Sequence, residues 1–121
     1  MNLFSRSLVA VVSATALFLP NIILASGLNE GAALDILLRT IKHDHVYDKR
    51  ISLDCVTFDT EETTRIYFEI AVREKHNKKC GGDPDTSPVI DRYRVNRASG
   101  KLERYDVSND AWQRYDPAKM K

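Results

Sequence analysis

Hydrophobic residues first recur along the chain with a helical period. Between Leu28 and Lys42, four apolar residues are spaced so that they lie on one face of a helix: Leu34, Leu37, Leu38 and Ile41. Asn29 is suited to cap the helix N-terminus, and Lys42 and His43 lie near its C-terminus, where the helix dipole favours positive charge. We therefore predict an amphipathic helix.

After Arg50 the hydrophobic period changes to two, which is typical of β-strands. We predict strands over residues 51–59, 64–74, 88–97 and 101–107, and a short last strand over 111–115. The second strand alternates most clearly, with one apolar face formed by Ile66, Phe68, Ile70 and Val72. Turns are expected at residues 61–62, 98–100 and 108–110, where Gly100 can adopt a positive φ.

One helix followed by a run of hairpins predicts an α+β fold. We expect the N-terminal helix to pack on the apolar face of a four- to five-stranded antiparallel sheet, and the other sheet face to be exposed to solvent. Residues 28–116 form this single domain, and residues 117–121 are expected to be a flexible tail.

Residues 1–27 have the pattern of a secretory signal peptide. Arg6 precedes an uncharged apolar run over residues 8–19, and small residues allow cleavage after Ala25 or Gly27. The alternative is an uncleaved anchor, but Pro20 interrupts the run before the roughly 20 apolar residues that a spanning helix needs. We expect a periplasmic or secreted protein without a stable membrane anchor.

Cys55 and Cys80 are the two cysteines of the chain. In an oxidising compartment, an even and minimal number of cysteines indicates one disulfide. The alternative is a redox-active or nucleophilic Cys80 assisted by His76, but C-x-x-C spacing is absent. We predict a structural Cys55–Cys80 bridge.

Composition and charge narrow the choice of partner. The 121 residues are 43% hydrophobic and 29% charged, as in one ordinary globular domain. Arg6 is the only charged residue of the predicted signal peptide, so its removal leaves equal numbers of basic and acidic side chains. Net charge thus argues against nucleic acid as a partner, and recognition must rely on local patches.

The segment between the second and third predicted strands is the most distinctive of the chain. It is longer than a hairpin needs, and it contains Gly81-Gly82, Pro84 and Pro88 beside Cys80. A long but rigid loop can bind a partner with little loss of entropy, and we assign the contacts to Asp83, Pro84, Asp85, Thr86 and Ser87. The alternative is a structural crossover whose Asp and Ser side chains cap their own turn.

Three Arg-Tyr dipeptides lie on successive predicted strands, at residues 92–93, 104–105 and 114–115. On adjacent strands they could align into a row of tyrosines on one face and of arginines on the other. Arg, Tyr and Trp are frequent at binding hot spots, so we add to the partner-binding set Arg92, Tyr93, Arg104, Tyr105 and Trp112. The alternative is cross-strand pairing that only stabilises the sheet.

The helix and the final hairpin carry a resemblance to a known family. Residues 95–102 (V-N-R-A-S-G-K-L) resemble the last hairpin of PepSY domains, small secreted bacterial domains in which it often reads V-D-x-x-T-G-x-V. Asn96 replaces Asp of that pattern, and Ser99 replaces Thr. The segment over residues 72–88 has no counterpart there and is similar to small uncharacterised periplasmic proteins of Gram-negative bacteria. Neither resemblance implies a catalytic residue.

Together these features favour a non-enzymatic binding module whose partner is another protein. The sharper hypothesis is an inhibitor or immunity protein that inserts its Gly/Pro loop into the cleft of a hydrolase. No catalytic residue, metal or cofactor is predicted, because the nucleophile-elbow, H-E-x-x-H and phosphate-loop motifs are absent from the sequence. The alternative is a metal-binding periplasmic protein that uses His43, His45 and His76, or a small enzyme.

Overall fold

The computed structural model describes residues 27–120, so the predicted signal peptide lies outside the described residues except for Gly27. Helix α1 spans Glu30–His43. The side-chain oxygen of Asn29 accepts a hydrogen bond from the backbone N–H of Ala32 at 2.8 Å, which satisfies one of the free donors of the first turn. The predicted helix and its N-cap are confirmed.

Five strands follow α1 and form one antiparallel sheet in chain order. The strands are β1 (Val56–Thr63), β2 (Tyr67–Glu74), β3 (Val89–Asn96), β4 (Leu102–Asp106) and β5 (Ala111–Arg114). Each strand pairs with its neighbour in sequence, as hairpin connections require. One helix packed on a five-stranded antiparallel sheet confirms the α+β fold class.

The core lies between α1 and one face of the sheet, here called the helix face. The helix contributes Ala33, Leu37 and Ile41, and the sheet contributes Val56, Phe68, Ile70, Val72, Tyr93 and Val95. The buried residues of the helix are spaced four apart, from Ala33 through Leu37 to Ile41. Leu34 and Leu38, which were predicted to lie on the buried face, are beside this line and are only half-buried. Burying one large aliphatic side chain stabilises the fold by about 1.5–3 kcal/mol.

The first hairpin is shifted relative to its prediction. Residues 53–55 form a 3-10 turn, and β1 begins at Val56 and continues through the expected turn at residues 61–62. The chain reverses instead after Thr64, whose side-chain oxygen accepts hydrogen bonds from the backbone N–H groups of Ile66 and Tyr67. Ile66 therefore lies in the turn and is 66% exposed, so its assignment to the apolar strand face was wrong.

The C-terminal segment expected to be a flexible tail forms a 3-10 turn over Pro117–Met120. Met120 packs against the core, which gives this segment an apolar contact. Within residues 27–120, no helix is long and apolar enough to cross a membrane.

Candidate functional site

The predicted recognition loop connects β2 to β3, and the disulfide holds its first half. Cys80 is bonded to Cys55, with 5.5 Å between the two α-carbons, which confirms the predicted bridge. The backbone N–H of Gly81 donates to the carbonyl oxygen of Asn77 at 2.8 Å, and the side chain of Asn77 accepts from the N–H of Cys80. The loop is thus tied to Cys55, the residue that directly precedes β1.

His76 holds the second half of the loop. Its Nδ1 lies 2.7 Å from the carbonyl oxygen of Asp83, and its Nε2 lies 2.8 Å from the carboxylate of Glu74. The hydrogen bond to Glu74, followed by the one to Asp83, raises the pKa of His76 above its usual value. Only 12% of the His76 side chain is exposed, and both of its ring nitrogens have hydrogen-bond partners. The imidazole therefore stabilises the conformation of the loop.

The acidic side chains of the loop differ in their roles. A carboxylate oxygen of Asp83 accepts a hydrogen bond from the backbone N–H of Asp85 at 2.9 Å, and the hydroxyl of Thr86 donates to the Asp83 carbonyl. Asp83 and Thr86 therefore cap the turn, as the structural alternative expected. Pro84 and Asp85 are exposed, and the side chain of Asp85 makes no hydrogen bond within the described part of the chain.

The end of the loop is connected to the sheet face opposite α1, here called the outer face. The side chain of Arg73 donates to the carbonyl oxygen of Ser87 at 3.1 Å and to the carboxylate of Glu61 at 2.7 Å. Glu61 also accepts from Arg92 at 2.7 Å. These two arginines lower the pKa of Glu61, and the hydrogen bond from Arg92 has the largest effect. A continuous set of charge-assisted hydrogen bonds therefore joins Ser87 to the middle of the outer face.

The strand register breaks the predicted rows of tyrosines and arginines. Tyr93 pairs directly with Arg104, whereas Tyr105 pairs with Trp112. Directly paired residues share a sheet face, so Tyr93 and Arg104 lie on the helix face. Tyr93 is 0% exposed and cannot contact a partner, which corrects its place in the predicted set. Of that set, Arg92, Tyr105 and Trp112 lie on the outer face.

Arg94 organises the aromatic side chains of the outer face, a role that the sequence did not indicate. Its guanidinium carbon lies 4.1 Å from the ring centroid of Tyr67 and 4.0 Å from that of Trp112. The ring centroids of Trp112 and Tyr105 are 5.3 Å apart. Arg94 also donates two hydrogen bonds to Glu69 at 3.1 Å. We call Tyr67, Arg94, Tyr105 and Trp112 the aromatic cluster.

The helix face carries a buried polar network that the sequence pattern did not predict. The carboxylate of Asp91 accepts from the hydroxyl of Tyr47 at 2.7 Å and from two nitrogen atoms of Arg104 at 3.0 and 2.6 Å. The hydroxyl groups of Tyr47 and Tyr93 are 2.9 Å apart. Burial raises the pKa of Tyr93 to about 12 and also raises the pKa of Tyr47. One feature of the sequence could have indicated this network: Asp91, Tyr93 and Val95 alternate along β3, so their side chains lie on the same buried face.

The three histidines each contact a nearby carboxylate. His43 binds Asp44 at 2.8 Å and His45 binds Asp48 at 2.7 Å, whereas His76 binds Glu74 within the loop. Among residues 27–120, no group of three or more His, Cys, Asp or Glu side chains is arranged to hold a metal ion.

No protein-family model matches the chain. No curated protein and no solved structure matches it either.

Proposed function

We propose that this protein is a non-enzymatic, secreted or periplasmic binding module for another protein. Its binding surface consists of the exposed loop tip at Pro84 and Asp85 together with Arg92 and the aromatic cluster on the outer face. The observation that carries the proposal is the hydrogen-bonded connection from Ser87 through Arg73 and Glu61 to Arg92. Because of this connection, the loop and the outer face form one rigid surface.

This surface is already ordered before a partner binds. The disulfide, His76 and the Asp83 cap hold the loop in one conformation, so binding costs little conformational entropy. Trp112, Tyr105 and Arg92 are the residue types that dominate binding energies at interfaces. An exposed loop that is held in one conformation beside such residues suits a concave partner. Inhibition of a hydrolase by occlusion of its cleft is the specific form that we favour.

Capture with matched variants tests this proposal. Purified protein is immobilised, exposed to periplasmic extract, and compared with Asp85→Ala and Trp112→Ala. The matched control is Asp35→Ala on the exposed side of α1, where the Asp35 side chain is 59% exposed. We expect both test variants to weaken binding of the captured protein at least about fivefold, as removal of a hot-spot residue does, and the control to bind like the wild type.

Two outcomes would contradict the proposal. If Asp85→Ala and Trp112→Ala retain the affinity of the Asp35→Ala control, the surface is not the binding site. If the captured partner is a hydrolase and remains fully active at saturating concentrations of this protein, inhibition by occlusion is wrong.

Separate substitutions of the two loop carboxylates distinguish recognition from turn formation. Asp83→Ala removes an acceptor of the turn and is expected to lower the melting temperature. Asp85→Ala removes an exposed side chain, so stability should change by less than about 0.5 kcal/mol while binding weakens. A stable Asp85→Ala variant with unchanged affinity would assign the loop a structural role only.

A further inference from the structure

A cavity of about 740 Å³ lies on the helix side of the sheet, away from the proposed protein-binding surface. The end of α1 at His43 and the segment over residues 44–50 line it, together with Pro117, Lys119 and Met120. Asp91 and Arg104 of the buried polar network also line it. This volume is within the range of cavities that bind small molecules.

The acidic groups of the cavity are already paired. Asp44 contacts His43 at 2.8 Å and accepts a hydrogen bond from Tyr115 at 2.7 Å. Asp48 contacts His45 at 2.7 Å. Both oxygens of Asp91 are bound, as described above. Asp91 is thus neutralised by Arg104, whereas Asp44 and Asp48 keep their charge and have acceptor oxygens that are already in use.

Three of the four basic side chains that line the cavity have no partner among the described residues, unlike the carboxylates. Lys49, Arg50 and Lys119 make no ion pair or side-chain hydrogen bond within residues 27–120. Arg104 is held in place by Asp91, with 33% of its side chain exposed. With the histidines counted as neutral, the lining carries four cationic side chains against three carboxylates, a local excess of one positive charge.

The cavity also has an apolar part. Val46 and Met120 line it and belong to the partly buried residues that pack against the core. Desolvation of an apolar ligand group against these side chains contributes to binding, while the cations select its charge. We propose that this cavity binds a small organic anion with an apolar body, with its anionic group near Lys49, Arg50 and Lys119.

Competition experiments on the whole protein test this proposal. The fluorescent probe 8-anilino-1-naphthalenesulfonate, an aromatic anion, is titrated at pH 7 and then displaced by octanoate, octanol or inorganic phosphate. We expect saturable binding of the probe and displacement by octanoate. Octanol, which shares the apolar chain, should require about tenfold higher concentrations, and phosphate should not displace the probe, because both parts of the ligand contribute.

A charge-matched pair of variants locates the site. Lys49→Gln combined with Lys119→Gln should weaken binding of the probe and of octanoate by about tenfold, because two partly screened charge contacts are lost. Lys75→Gln combined with Lys101→Gln removes the same charge at exposed positions outside the cavity lining and should have no effect. Unchanged near-UV circular dichroism of both variants verifies that the probe reports a native site.

Three results would overturn the inference: no saturable binding of the probe to the native protein, equal displacement by octanol and octanoate, or equal effects of the two double variants. None of them bears on the protein-binding proposal, because that surface lies on the loop and the outer face.

Discussion

The imidazole of His76 lies against Gly82, in the space that a β-carbon on Gly82 would occupy. A β-carbon on Gly82 would lie 2.5 Å from Cδ2 of His76, and Gly82 has a φ of +80°. Both the side-chain contact and the backbone conformation therefore require glycine at this position. This contact connects the Gly-Gly step of the loop to the residue that holds its second half.

Gly82→Ala is expected to destabilise the protein more than Gly81→Ala. Gly81 also has a positive φ, +75°, but a β-carbon there meets nothing within 4 Å. Gly81→Ala should cost about 1–2 kcal/mol from backbone strain alone. Gly82→Ala should exceed this cost because His76 must also move. Urea denaturation of both variants measures the difference, and equal costs would show that His76 yields without penalty.

Stability should depend on pH through His76. Its raised pKa means that protonation favours the folded state, so this contribution is fully present below the unfolded pKa of about 6.5 and is lost as pH rises through the folded pKa. Between pH 6 and pH 9, the stability advantage of the wild type over His76→Gln should therefore decrease. Urea denaturation at both pH values measures it, and an advantage that is constant or grows with pH would contradict the expected direction.

The Cys55–Cys80 bridge should contribute substantially to stability. It links residues 25 positions apart, for which the chain-entropy model gives about 3.5 kcal/mol. The paired variant Cys55→Ser with Cys80→Ser should lose about 2–5 kcal/mol in urea denaturation. Alkylation of the native, non-reduced protein should give no mass shift, and modification of two thiols would refute the bridge in the native protein.

Asp91 should contribute strongly to the stability of the protein through its contacts on the helix face of the sheet. Its side chain is 6% exposed and accepts from Tyr47 and Arg104, so Asp91→Ala leaves a partly buried guanidinium without its partner. We expect a loss of about 3 kcal/mol or more. The exposed Asp35→Ala control should change stability by less than about 0.5 kcal/mol. Similar thermal shifts for both variants would show that the network contributes little.

Arg94 should control the environment of Trp112, the single tryptophan of the chain. Arg94→Ala removes the cation 4.0 Å from the Trp112 ring centroid, so tryptophan emission should shift to longer wavelength and acrylamide quenching should increase. The lost cation–π contacts should reduce stability by about 1 kcal/mol. Arg114→Ala, an exposed arginine of β5, is the control; the same fluorescence change there would exclude a specific effect of Arg94.

Local pattern and cysteine number were sufficient to predict the helix, the number of strands, the fold class and the disulfide, but not the position of the first hairpin. Helical period and capping are properties of adjacent residues, as for Asn29 and α1. The alternation of β2 likewise identifies Phe68, Ile70 and Val72 as core residues. With two cysteines there is one possible intramolecular pairing, so the Cys55–Cys80 bridge required no tertiary information beyond the expected oxidising compartment.

The tertiary structure alone decided which distant side chains meet. The pairing of Tyr93 with Arg104 depends on the register between β3 and β4, and a shift of one residue would exchange the two faces. The Asp91 network, the Arg94 contacts and the cavity beside Lys49 and Lys119 all combine residues that are remote in sequence. Residue type and spacing constrain local conformation, whereas these sites arise from strand register and from the position of the helix on the sheet.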